Sequence, residues 1–156
     1  MVKDCVLLFR KVNEDVVKSS YADFGFAVIE CNWPKIEVKK PHSRDWPGED
    51  GLDVYIPSTM RVASTELTVK FGYKGGVGTA KDAERLFSDF LLGRDGSGAR
   101  FNLYDVFNHK GCANVYTKQV GESTLNRSNI DEGLEVEITF VLINPSEEIV
   151  LTHVAD

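Results

Sequence analysis

Leu134-Glu135-Val136-Glu137-Ile138-Thr139-Phe140-Val141-Leu142 has an apolar residue at every even-numbered position, and this period of two decides the fold class, because a helix would need apolar residues three and four apart. Leu134, Val136, Ile138, Phe140 and Leu142 make the core face of a strand, with Glu135, Glu137 and Thr139 opposite. Val141 then makes the far end apolar on both faces, so something must cover that end. The pattern recurs in Thr65-Glu66-Leu67-Thr68-Val69-Lys70-Phe71-Gly72-Tyr73, where Leu67, Val69, Phe71 and Tyr73 oppose Glu66, Thr68 and Lys70. Shorter apolar stretches bounded by Gly, Asn, Asp or Ser predict further strands over 6–12, 25–30, 99–106 and 113–120.

A single helix interrupts the strands. With Thr79 as N-cap, Ala83, Leu86, Phe87, Phe90 and Leu91 follow the spacing of one buried face, and Gly93 ends the run. Asp82 and Glu84 fall in the early turns, where the helix dipole favours acids, and Arg94 lies just past the last one. Many strands with one amphipathic helix over 79–92 define a mainly β domain, mostly antiparallel: a β-sandwich, or a partly open barrel plugged by the helix.

At 156 residues, with 42% hydrophobic and 27% charged, the chain fits one globular domain, 1–156. No apolar run approaches the roughly 20 residues that span a bilayer, and the first ten residues are too soon interrupted by charge for a signal peptide, so the chain is expected to stay in the cytoplasm. Cys5, Cys31 and Cys112 are odd in number and widely separated, which predicts free thiols. The 18 basic against 24 acidic residues leave a net charge of -6. That balance opposes a DNA-gripping surface, while like charge keeps a passing polyanion from sticking.

Motifs of catalysis are incomplete. Gly75-Gly76-Val77-Gly78-Thr79 lies between a strand and a helix, as a phosphate loop does, but no lysine follows at the required place. Asp45, Glu49, Asp50 and Asp53 lack the spacing of a calcium loop. His42, His109 and His153 are scattered, with His109 expected in a turn between two strands, and no serine occupies a nucleophile elbow. No catalytic residue, metal ligand or cofactor is expected.

What remains suits assembly. Pro47 lacks a backbone donor and Gly48 and Gly51 open positive φ angles, so Asp45, Trp46, Pro47, Gly48 and Asp50 belong to a shaped loop. Residues 45–57 are expected to lead into the main sheet near a subunit contact. Residues 121–133 read as a long polar connection, with Glu122, Arg127 and Asp131 as contact candidates. Tyr21, Phe24, Phe26 and Trp33-Pro34 add aromatics, most for the core and one or two for a neighbour. A ligand-binding reading stays open beside this one: a small β-domain taking a ligand such as a carbohydrate, with Trp33, Trp46 and Tyr55 as stacking platforms beside Asp50 and Asp53.

The order Asp45-Trp46-Pro47-Gly48-x-Asp50-Gly51, an alternating strand, the helix, Phe101-Asn102-Leu103-Tyr104-Asp105, Asn114-Val115-Tyr116 and Ile138-Thr139-Phe140-Val141-Leu142-Ile143-Asn144-Pro145 resembles the tail proteins of long-tailed bacteriophages and prophages. It is most similar to the N-terminal domain of distal tail proteins, which has the tail-tube fold. The resemblance implies a non-enzymatic virion protein assembled in the bacterial cytoplasm. Its subunits form a homo-oligomeric ring, usually a hexamer, between the tube and the host-recognition parts, with other tail proteins as partners and DNA passing through the lumen without specific binding. Distal tail proteins often add a carbohydrate-binding domain; here eleven residues follow Pro145, so a plain ring or tube subunit is expected.

Overall fold

A computed structural model describes residues 5–153. Among these, the chain forms nine strands and one helix: β1 (Leu7–Lys11), β2 (Val17–Ser19), β3 (Phe26–Cys31), β4 (Ser43–Arg44), β5 (Asp53–Val54), β6 (Thr65–Gly75), α1 (Ala80–Leu92), β7 (Phe101–Asp105), β8 (Lys110–Arg127) and β9 (Glu132–Leu142). Seven strands make one antiparallel sheet in the order β2-β1-β7-β8-β9-β6-β3, and β4 pairs with β5 alone. The sheet curls until its ends meet: the amide of Val28 in β3 donates to the Cys5 carbonyl at 2.8 Å, and the amide of Phe26 in β3 donates to the Ser20 carbonyl just past β2 at 2.7 Å. The fold is the expected β architecture with one helix across the opening.

The two alternating stretches are neighbours. Leu67 faces Phe140, Val69 faces Ile138, Phe71 faces Val136 and Tyr73 faces Leu134, so both core faces point the same way. Their apolar side chains meet α1. Phe87 stacks on Phe26 with centroids 4.9 Å apart, and meets Phe71 at 5.1 Å, Phe24 at 5.2 Å and Phe9 at 6.0 Å. Phe90 and Leu91 are buried beside it.

Leu86 is the exception to the predicted face, at 66% exposure. The buried arc is centred on Ala80, Phe87 and Leu91, and at about 100° per residue Leu86 falls outside its edge.

Both ends of α1 are held by the body. Lys11 is buried, and its ammonium donates to the Phe90 and Gly98 carbonyls while lying 4.2 Å from the Phe90 ring centroid. It thereby adds a second donor to a helix-end carbonyl that also accepts the Gly93 amide at 3.2 Å, and burial lowers its pKa. Gly93 takes φ of +73° as the helix stops. A Cβ there would also come within 2.6 Å of the Gly98 backbone.

A second apolar cluster, Val6, Leu8, Tyr104 and Leu151 with Val17, Val106 and Ile149, covers the other face of β1 and β7. The cover expected over the end of β9 therefore lies on different strands, and Val141 is only half-buried.

The polar connection expected over 121–133 is a strand for most of its length. β8 runs on to Arg127 and turns within four residues into β9. Gly121 marks a bulge, not an end: the register shifts between Val120 and Ser123, and a Cβ at Gly121 would approach the Glu137 carbonyl to 2.8 Å. Beyond it, β8 is exposed on both faces, so pairing with β9 holds it without any apolar alternation.

The helix contacts predict unequal effects for two adjacent residues. Phe87→Ala should cost about 3–5 kcal/mol in urea unfolding, whereas Leu86→Ala should stay within about 0.5 kcal/mol.

Candidate functional site

Between β3 and β6 the chain leaves the body. No residue from 32 to 64 is buried, yet the segment is ordered as a two-stranded ribbon. Around the Val38–Val62 pair, Lys39 donates to Arg61 at 2.8 Å and Ala63 to Glu37 at 2.7 Å. Further out, Tyr55 donates to His42 at 2.9 Å, and β4 and β5 join Ser43 to Val54 and Arg44 to Asp53.

Strand alternation puts Ile36, Val38, Met60 and Val62 on one face of the ribbon and Glu37, Lys39 and Arg61 on the other. The apolar face is open to solvent, with Ile36 75% exposed and Val38 52%; nearer the tip the adjacent Tyr55 and Ile56 are also open, at 71% and 70%.

Asp45, Trp46, Pro47, Gly48 and Asp50 form the tip, and all are exposed. Gly48 and Gly51 take φ of +89° and +82°, and the Arg44 guanidinium lies 5.5 Å from the centroid of the Trp46 ring. The expectation that 45–57 lead into the main sheet is corrected. They are the tip and first return of a projecting hairpin, and the sheet is entered only at Thr65.

The ribbon's root is tied down by a buried carboxylate. Asp105 accepts the Trp33 indole N–H at 2.9 Å, the amides of Phe107 and Asn108, and the Asn108 side chain at 2.6 Å; Asn108 also donates to the Cys31 carbonyl at 3.3 Å. Burial and the Asp105 carboxylate push the Cys31 thiol well above its usual range, and burial raises Cys112 to about 11. All three cysteines are free thiols. Trp33 is thus committed to the body, apart from Trp46 and Tyr55 on the ribbon. His109 lies in the β7–β8 turn at φ of +56°.

The glycine-rich loop before α1 has its anion already. Glu132, buried at the start of β9, accepts the Ala80 amide at 2.8 Å through one oxygen and Arg127 Nε at 3.0 Å through the other. The carboxylate occupies the place that a phosphate would take at a helix N-terminus. Thr79 is the N-cap residue by position but makes no side-chain cap; its hydroxyl donates to the Gly76 carbonyl at 2.6 Å instead. Sequence reasoning missed Glu132 because it lies 52 residues beyond the Ala80 amide that it caps.

Of the other predicted contacts, Asp131 accepts the Ser128 hydroxyl at 2.7 Å and lies 3.8 Å from Lys74. Glu122 is exposed at the β8 bulge. Arg127 and Asp131 therefore flank one end of β6, where Gly75 faces Glu132, while the ribbon leaves near the other, where Thr65 faces Leu142. The tip residues and the pair Arg127 and Asp131 lie towards opposite ends of the sheet, with Glu122 near its middle.

The sheet face turned away from α1 is charged in the middle. Glu30, Glu66, Glu137, Lys70, Asn32 and Thr68 line a depression of about 270 Å³, with Glu66 paired to Lys118 at 2.7 Å. At the Gly75 end of the same strands a groove of about 430 Å³ is lined by residues including Tyr21, Ala27, Ile29, Gly72, Lys74 and Glu135. Among the described residues no three His, Cys, Asp or Glu side chains group to hold a metal, and no helix is long and apolar enough to cross a membrane.

No family model matches the chain, and no curated protein does. Among solved structures, the crystal structure of the SPP1 Dit (gp 19.1) protein, described as a paradigm of the hub adsorption apparatus in phages that infect Gram-positive bacteria, is similar at a TM-score of 0.46 and 20% identity. The match covers 90% of this chain and 51% of that one, so this chain spans about half the length of that protein.

The Ala80 amide, joined by other hydrogen bonds and by Arg127, holds the Glu132 carboxyl below its usual pKa. A depressed folded-state pKa stabilises at pH values above the unfolded value of about 4.3 and ceases to do so as pH falls through the folded one. Glu132→Gln should therefore lower the thermal midpoint at pH 7, and the gap to the parent protein should close progressively below about pH 4.

Proposed function

We propose that this protein is a structural subunit of a phage or prophage tail that assembles with its own copies into a ring, a hexamer, at the tail tip or in the tube. There it joins the tube to the host-recognition proteins and lets DNA pass without specific contact. The observation that supports this most is the ribbon. A two-stranded hairpin is at best marginally stable alone in water, yet this one holds Ile36, Val38, Tyr55 and Ile56 in solvent, each more than half exposed. Burying each fully would contribute about 1.5–3 kcal/mol in gross transfer energy. A neighbouring copy supplies that cover, with the tip residues Asp45, Trp46, Pro47, Gly48 and Asp50, and Glu122, Arg127 and Asp131 on the hairpin side, at the contacts.

The order of sequence motifs shared with distal tail proteins supports the tail assignment. The charged sheet face supports the passage of DNA. Glu30, Glu66 and Glu137 outnumber Lys70 around its depression, and an acid-rich wall repels phosphates where a basic one would hold them. No catalytic role is assigned.

Light scattering and negative-stain micrographs of the purified protein, alone and with a tail-tube extract as template, test the reading. Ring particles are expected, and a protein that stays monomeric at high concentration in both would sink it. Trp46→Ala should shift the assembly midpoint by about tenfold or more while moving the unfolding midpoint of the monomer little, because the ring of Trp46 packs on no core residue. Equal losses would return the tip to a purely internal role.

A further inference from the structure

We infer that the groove at the Gly75 end of the sheet is the receptor for the ribbon of the next copy, so that assembly runs head to tail; this rests on the self-assembly proposed above. The topology places donor and acceptor apart. The ribbon leaves the body after Cys31, which pairs with Val69, and returns at Thr65, whereas Gly72 and Lys74 of the groove lie three and five residues beyond Val69 and Ala27 lies beside Gly72. At about 3.3 Å per residue, Lys74 stands about 30 Å from Thr65, where the ribbon returns, and about 17 Å from Val69, beside its point of departure.

The groove is shaped for an apolar strand. Ala27 and Gly72 have no bulk above the sheet, and they are register partners across β3 and β6. Ile29 lies along Gly72 so closely that a Cβ there would come within 2.8 Å of its terminal methyl. Tyr21 and Ile29 are 46% and 51% exposed, which leaves an apolar floor open to solvent in the body as well as an apolar face open on the ribbon. About 430 Å³ admits several aliphatic side chains, and Ile36, Val38 and Met60 are the aliphatic row that the ribbon presents.

Charge fits the same direction. Lys74, its side chain 81% exposed, stands at the groove with a 3.8 Å contact to Asp131, and Glu135 lines the other side. The ribbon's tip carries Asp45, Glu49, Asp50 and Asp53 against Arg44, so a docked ribbon brings a net-negative tip towards the exposed ammonium. A contact between two different surfaces of one chain is heterologous. It extends from copy to copy until rotation closes a ring.

Two variants and their mixture test this. Ile36→Asp with Val38→Asp removes the donor, and Ile29→Asp removes the acceptor. Each alone should be monomeric by light scattering under conditions where the parent assembles, with an unchanged thermal midpoint. Mixed one to one they should form a heterodimer and nothing larger, because one sound ribbon meets one sound groove and neither partner can extend. If Ile29→Asp unfolds, Ala27→Arg replaces it. A parent protein that assembles while both groove variants assemble equally well overturns the inference and leaves the tail reading standing, as does a mixture of assembly-deficient variants that stays monomeric. A parent that never assembles sinks both.

Discussion

A rolled antiparallel sheet has a concave face that must be filled, and here one helix fills it. Phe87 reaches Phe9, Phe24, Phe26 and Phe71, which come from β1, the β2–β3 turn, β3 and β6. β3 and β6 are paired neighbours, with Phe26 and Phe71 6.5 Å apart, while β1 lies elsewhere in the sheet and meets them through that ring. The position of α1 is consequently constrained from several strands at once, and its two ends cannot be left to fray. Lys11 from the first strand meets the carbonyl end, and Glu132 from the last strand meets the amide end. Both are charged groups taken out of water, which is costly unless partners are supplied. Each is given two hydrogen-bonding partners here.

With α1 in place the body is self-sufficient. The inner cluster is closed, the outer face of β1 and β7 is covered by Ile149 and Leu151, and no buried side-chain nitrogen or oxygen among the described residues lacks a hydrogen bond. The apolar surface that remains is not scattered evenly. Much of it lies on the ribbon, which is joined to the body through Trp33 and Asp105 and shares no core with it. Folding and the ribbon's contacts are therefore separable properties of one chain, and substitutions on the ribbon can alter the second without the first.

The regular body was legible in the sequence because burial on one face writes a period into it. β6, β9 and α1 each put apolar residues on one side and polar ones on the other, and Leu134–Leu142 and Thr65–Tyr73 even proved to be register partners. Legibility failed where another force held the chain. The outer half of β8 is kept by backbone pairing and the Arg127–Glu132 bond with no buried apolar residue, so Gly121 to Arg127 read as loop. Leu86 was misplaced because the apolar arc is narrower than the set of apolar residues. Capping by Glu132 left no local trace, since Thr79 offered the expected residue type in the expected place. The ribbon was seen only at its tip, where Trp46-Pro47-Gly48 is conspicuous; Ile36 to Val38 and Met60 to Val62 are too short and too mixed to announce a strand.

The separation of the ribbon from the core also bears on how strongly copies could hold one another. Ordering an extended segment against a partner costs conformational entropy, which offsets part of the energy of burying its apolar row. A ribbon already zipped by its own hydrogen bonds and tied at Asp105 has met part of that cost before any partner arrives. What is left is a contact of one narrow face, modest by itself. In the proposed ring every copy would give one ribbon and receive one, and the last contact to form would be intramolecular, at an effective concentration far above that of free subunits. In the proposed assembly, modest contacts of this kind would leave single copies free to separate and make closure of the ring cooperative, a reason for a chain to hold its stickiest surface away from its core.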